Sequence, residues 1–169
     1  MKNKTAYMGL LLAFTLILSY IETLLPFQIG IPGIKLGLAN LAVLLCLYLF
    51  GWKEALLLTT VKALLCGFLF GNLFMILYSL AGAWLSCLVM ILMKKSKWFH
   101  VPVVSALGGV MHNVGQLLVA AFVIKTYGVL YYAPFLIMAG LAVGFVIGSI
   151  AYLVLPYIQN ILERKEPLK

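Results

Sequence analysis

Seven polar side chains stand inside stretches that are otherwise almost purely apolar: Glu22, Asn40, Lys62, Asn72, His112, Asn113 and Gln116. An ammonium at the centre of a membrane helix costs about 2.5–3.5 kcal/mol on insertion scales, so Lys62 calls for a partner or a purpose. Snorkelling to an interface is the plain alternative, and four methylenes permit it more easily near a helix end than from the middle. Glu22 is a natural counter-ion, or a group close enough to the interface to be simply solvated. His112 and Gln116 are spaced i, i+4 and share one helical face, with Asn113 beside them. Such residues also act as glue between membrane helices, worth about 0.6–2 kcal/mol each. Charges, carboxamides and an imidazole in this pattern suit recognition of a solute by hydrogen bonds and charge.

Other chemistries find little support. The chain has no aspartate; its acids are Glu22, Glu54, Glu163 and Glu166. That excludes an aspartate-rich magnesium site for a diphosphate, and no Gly-x-x-x-x-Gly-Lys-Ser/Thr loop is present. No nucleophile–base pair or carboxylate pair is present either, so the chain is not expected to be an enzyme. Cys46, Cys66 and Cys87 lack Cys-x-x-Cys spacing and read as packing thiols. A lone His112 makes no metal or haem site, and His100 reads as an interface residue. No metal and no cofactor are expected.

The elements that must position these residues are membrane helices. Of 169 residues, 65% are hydrophobic and only 9% charged, with a mean hydropathy of +1.15. Apolar runs near the length that crosses a core about 30 Å thick fall at about 5–25, 36–50, 54–70, 72–93, 101–124 and 129–155. The pattern predicts an all-α, polytopic bundle of six transmembrane helices, one integral domain over 1–169, with Pro156 closing the last helix before a cytoplasmic tail at 156–169. The first run is too long for a signal-peptide core and no small-x-small cleavage site follows it, so it reads as a retained helix. The segment 26–36 is broken by two prolines and two glycines, yet Phe27, Ile29, Ile31 and Ile34 keep it apolar. It should fold back over helix ends.

The net charge of +8 does not point to nucleic acid, because the basic residues sit at segment ends and not on one amphipathic surface. Lys2, Lys4, Lys53, Lys94, Lys95, Lys97, Arg164, Lys165 and Lys169 fall on the N-terminal side of the alternating segments, Lys35 and Lys125 on the other. By the positive-inside rule both termini are cytoplasmic. The polar residues then lie between the midplane and the outer half, as expected for an outward-opening cavity with 26–36 across its mouth. Small residues recur at Gly140, Gly144 and Gly148, which reads chiefly as close packing within the bundle. Gly9 and Ala13 repeat the spacing on the first segment, where internal packing and docking of a partner both fit.

Two stretches, Pro32-Gly33-Ile34-Lys35-Leu36-Gly37-Leu38-Ala39-Asn40 and Gly109-Val110-Met111-His112-Asn113-Val114-Gly115-Gln116-Leu117, closely resemble motifs of the bacterial Gx transporter family. Its members also carry the label heptaprenyl diphosphate synthase component I. The resemblance covers nearly the whole chain. The family looks like the S components of energy-coupling factor transporters, six-helix membrane proteins that bind a nutrient from outside under the loop joining the first two helices. Those proteins dock on a coupling membrane protein with two ATPases through small residues of helix one, a pattern that Gly9 and Ala13 match.

The resemblance implies a substrate-binding subunit in the bacterial cell membrane, with Glu22, Lys35, Asn40, Lys62, Asn72, His112, Asn113 and Gln116 as ligand contacts. Lys35, Lys62 and His112 favour an anionic or acceptor-rich small molecule. The alternative it implies is a non-catalytic membrane subunit supporting polyprenyl or quinone biosynthesis, or flavin-linked extracellular electron transfer.

Overall fold

A computed structural model describes residues 4–24, 37–125 and 127–164. Among them are six α-helices and no strand: α1 (Lys4–Leu24), α2 (Leu38–Leu49), α3 (Trp52–Phe70), α4 (Leu73–Ser96), α5 (Val101–Ile124) and α6 (Ala133–Arg164), with a 3-10 turn at Tyr127–Tyr132 before α6. The segment 26–36, with Lys35, lies outside the described residues.

Local chemistry explains most of the boundaries. Gly37, at φ 66°, starts α2 from a left-handed conformation that glycine adopts without strain. The α2–α3 turn closes where Phe50 and Gly51 both donate to the Cys46 carbonyl, at 2.9 and 3.2 Å. Asn72 opens α4 by accepting from the Met75 amide at 2.9 Å, a side-chain cap on an otherwise orphaned donor. The chain enters α5 with Pro102 in its first turn, where a missing N–H costs nothing.

Three boundaries differ from the sequence expectation: α6 begins at Ala133 and not at 129, because Tyr127–Tyr132 forms the 3-10 turn, and two helices run on at their ends. Helix α4 runs on to Ser96, because Lys94 and Lys95 suit the negative end of a helix dipole and the Lys94 ammonium donates to the Leu47 carbonyl of α2 at 2.7 Å. Helix α6 does not stop at Pro156; the proline lies inside a helix that continues to Arg164. An internal proline costs about 3 kcal/mol or more. Leu155 is buried and Ile158 packs on the core, which anchors the helix on both sides of the proline.

Helix α2 forms the hub. Ala42 to Leu47 are all buried, as expected of a helix that is apolar all round, and α2 packs on α1, α3 and α6. Helices α1 and α3 run parallel in a constant register: Lys4 is ion-paired to Glu54 and the Tyr20 and Phe70 rings lie 5.5 Å apart. Helices α3 and α4 run antiparallel, with the Trp84 indole donating to the Thr60 hydroxyl at 3.0 Å. Glycine draws α5 against α6: a Cβ at Gly109 would lie 2.4 Å from the Gly140 oxygen, and one at Gly144 would lie 2.7 Å from the Ser105 oxygen. The repeat Gly140, Gly144 and Gly148 therefore serves packing inside the bundle.

The outside of the bundle is apolar, with Leu10, Phe68, Leu73, Phe122, Met138 and Leu153 each more than 60% exposed. Four helices, α1, α4, α5 and α6, are long and apolar enough to cross a membrane. Helix α2 has 12 residues, about 18 Å at 1.5 Å per residue, and α3 carries Lys53, Glu54 and Lys62. These are the dimensions and the surface of a multi-pass membrane protein. Crossing by length and composition is thus shown for four of the six expected helices.

Candidate ligand site

The first turn of α2 is half-buried and packs against α6 well along that helix. A Cβ at Gly37 would lie 3.3 Å from Ile147 Cδ1 and 3.5 Å from Val143 Cγ1. Val143 is ten residues along α6 from Ala133, so α2 begins about 15 Å inward of the start of α6. Sequence reasoning placed Asn40 near a helix end, and so it is; the depth of that end could not be read from the chain.

Polar groups gather at this half-buried terminus. Gly37 has no side chain to cap α2, and the Glu22 carboxylate of α1 accepts from the Leu38 amide at 3.1 Å. A carboxylate there satisfies an orphan donor and meets the positive end of the helix dipole. Two residues on, the Lys62 ammonium of α3 donates to the Asn40 carboxamide oxygen at 2.8 Å. Glu22, Asn40 and Lys62 thus all serve the first turn of α2, and each is half-buried.

His112 and Gln116 meet α4 at Gly82. A Cβ on Gly82 would lie 2.7 Å from both Gln116 Cγ and the His112 carbonyl, and 3.4 Å from His112 Cδ2. Gln116 is buried at 4% exposure and His112 half-buried. The Thr60–Trp84 hydrogen bond lies two residues from Lys62 on α3 and two from Gly82 on α4, which puts Lys62, Gly82, His112 and Gln116 at one depth. Lys62 with Asn40 on one side, and His112 with Gln116 on the other, thus form two polar clusters with α4 packed between α3 and α5.

The other expected residues have separate places. Asn113 faces α6, where its amide donates to the Leu136 carbonyl at 2.6 Å. Asn72 is exposed at the α3–α4 turn and caps α4. Gly9 and Ala13 are exposed on α1, and a Cβ at Gly9 would meet nothing within 4 Å. Sequence reasoning did not single out Gly82 or the Thr60–Trp84 pair; the small-residue run Ala81-Gly82-Ala83 was the available signal for the first.

Among the described residues no buried side-chain nitrogen or oxygen lacks a hydrogen-bond partner, and no group of three His, Cys, Asp or Glu side chains could hold a metal. The two clusters offer an ammonium, an imidazole and two carboxamides, groups that can hold a solute's acceptor groups. No curated protein and no solved structure is significantly similar to the chain. The model of one family, heptaprenyl diphosphate synthase component I, matches residues 11–154. That match spans both resembling stretches and the glycine repeat of α6, and the chain belongs to the heptaprenyl diphosphate synthase component I family, the Gx transporter family that its two motifs resemble.

Proposed function

We propose that this protein is the substrate-binding membrane subunit of an energy-coupling-factor-like uptake transporter. All six helices embed in the bacterial cell membrane and both termini are cytoplasmic, following the charge count. The observation that carries the reading is the hydrogen bond of Lys62 to Asn40 at the half-buried start of α2, with His112 and Gln116 at the depth of Lys62. Helix N-termini presented to a solute are a recurrent way to build binding sites in transporters. Because α2 begins about 15 Å inward, the outer part of α6 has no α2 beside it. The connecting segment 26–36 spans this region in sequence and serves as a cover that closes over an anionic or acceptor-rich solute, with Lys35 approaching the site.

Any ATPase belongs to partners, and the exposed Gly9 and Ala13 face of α1 is the docking surface for the coupling protein. A second reading has support in the family description itself: a component I implies a separate catalytic component. A chain without aspartate would then be its membrane subunit. Two measurements test the first reading together. Mass spectrometry of small molecules co-purified in mild detergent should show a ligand with the wild-type chain that is lost from Lys62→Met. Hydrogen exchange across 26–36 should slow when that ligand is present. Equal ligand recovery from both proteins and unchanged exchange would overturn the proposal in favour of the accessory-subunit reading.

A further inference from the structure

The end of the bundle that carries Lys4 has a cationic edge above an apolar furrow. Glu54 of α3 is ion-paired to Lys4. The Lys94 ammonium is drawn onto the Leu47 carbonyl at 2.7 Å and over the Tyr48 ring at 4.7 Å, which fixes the last turn of α4 against the end of α2. That contact holds the exposed Lys95 and Lys97 beside the α2–α3 turn, where exposed Lys53 stands 5.6 Å from the Trp52 ring centroid. Lys97 takes a left-handed conformation, φ 59°, and turns the chain so that Trp98, 88% exposed, follows at the same edge.

Below the lysines the outer faces of α3 and α4 form a continuous strip. On α4, Trp84, Leu88, Leu92 and Lys95 follow at spacings of four, four and three, and so share one face. All four are exposed, as is Leu57 on α3. The strip is floored by the Trp84–Thr60 hydrogen bond, which ties the two helices together. The charge is at one end, indoles lie at the edge and leucines run beneath, in the order in which a phospholipid presents phosphate, glycerol ester and acyl chain.

We propose that the α3–α4 face binds an anionic phospholipid of the adjoining leaflet. Its phosphate lies among Lys53, Lys95 and Lys97, and an acyl chain runs along Leu57, Leu88 and Leu92 toward Trp84. This requires that the chain be embedded in a bilayer, but neither its orientation nor its transport role. The test places the full-length chain with Trp52→Phe and Trp98→Phe, so that Trp84 is the sole indole, in phosphatidylcholine vesicles. Acyl-brominated phosphatidylglycerol or brominated phosphatidylcholine is then added as quencher.

Phosphatidylglycerol should quench Trp84 with an apparent affinity about fivefold or more above phosphatidylcholine, the contribution of about one lysine near a headgroup or more. Lys53→Gln, Lys95→Gln and Lys97→Gln combined should abolish that preference. Equal quenching by the two lipids, or a preference that survives the triple substitution, would overturn the proposal. Relief of quenching by millimolar inorganic phosphate or diphosphate would also overturn it, and would assign the lysines to a soluble phosphate compound. Native mass spectrometry of the chain with its own tryptophans is an independent check: a retained anionic phospholipid should be lost from the triple variant.

Discussion

The hydrogen bond between Lys62 and Asn40 makes an asymmetric prediction about its two ends. Replacing Lys62 by Met removes a charge whose place in a membrane helix costs about 2.5–3.5 kcal/mol. The same change forfeits a hydrogen bond worth about 0.6–1.7 kcal/mol inside a membrane protein. The difference leaves Lys62→Met as stable as the parent, or more stable by about 1–3 kcal/mol. Replacing Asn40 by Leu does the opposite. The ammonium stays while the acceptor it has in Asn40 at 2.8 Å is gone, and the loss should be about 0.6–1.7 kcal/mol. With both changes no charge is left to strand, so the double variant should recover to the level of Lys62→Met. Thermal or detergent unfolding followed by circular dichroism reads all four proteins. An Asn40→Leu variant as stable as the parent, or a double variant less stable than either single one, would refute the reasoning and show the contact to be incidental.

Glycine positions give a contrast within one protein. A Cβ at Gly109 would lie 2.4 Å from a backbone oxygen that cannot rotate away. Gly109→Ala should therefore lose about 1–3 kcal/mol to overpacking, which outweighs the gain of up to about 1 kcal/mol in helix propensity. Gly9→Ala meets nothing within 4 Å and should keep that gain; unfolding midpoints that move in the same direction for both would contradict the packing account. For topology, a cysteine at Tyr127 should react with an impermeant maleimide added outside intact cells, and one at Ser96 only after the inner face is exposed. The reverse pattern would invert the assigned orientation.

Local rules made much of the fold legible. Apolar runs located the six helices, Gly71-Asn72 marked the α3–α4 turn, and the spacing of Gly140, Gly144 and Gly148 announced a close helix pair. What escaped was set by contacts between distant residues. The passage of α6 through Pro156 depends on Leu155 and Ile158 being held by the core. The half-buried start of α2 depends on where Gly37 meets Val143 and Ile147, a hundred residues away. Glu22 as the cap of α2 depends on both: no local pattern pairs a carboxylate with an amide 16 residues on across a broken segment.

Structural work and ligand recognition compete for the same lone pairs and protons, and this competition sorts the polar residues. The Asn72 carboxamide oxygen is committed to the Met75 amide, and Asn113 ties α5 to a carbonyl of α6. Either loss would first be felt by the helices. Glu22 holds the amide at the start of α2 and, as an anion, would repel an anionic solute from that terminus. Lys62 differs in kind. An ammonium has three protons and carries a charge that a carboxamide cannot offer an anionic solute, and His112 and Gln116 share its depth. The proposal accordingly concentrates recognition on Lys62, His112 and Gln116, with Asn40 orienting the ammonium and Glu22 fixing the helix that presents it.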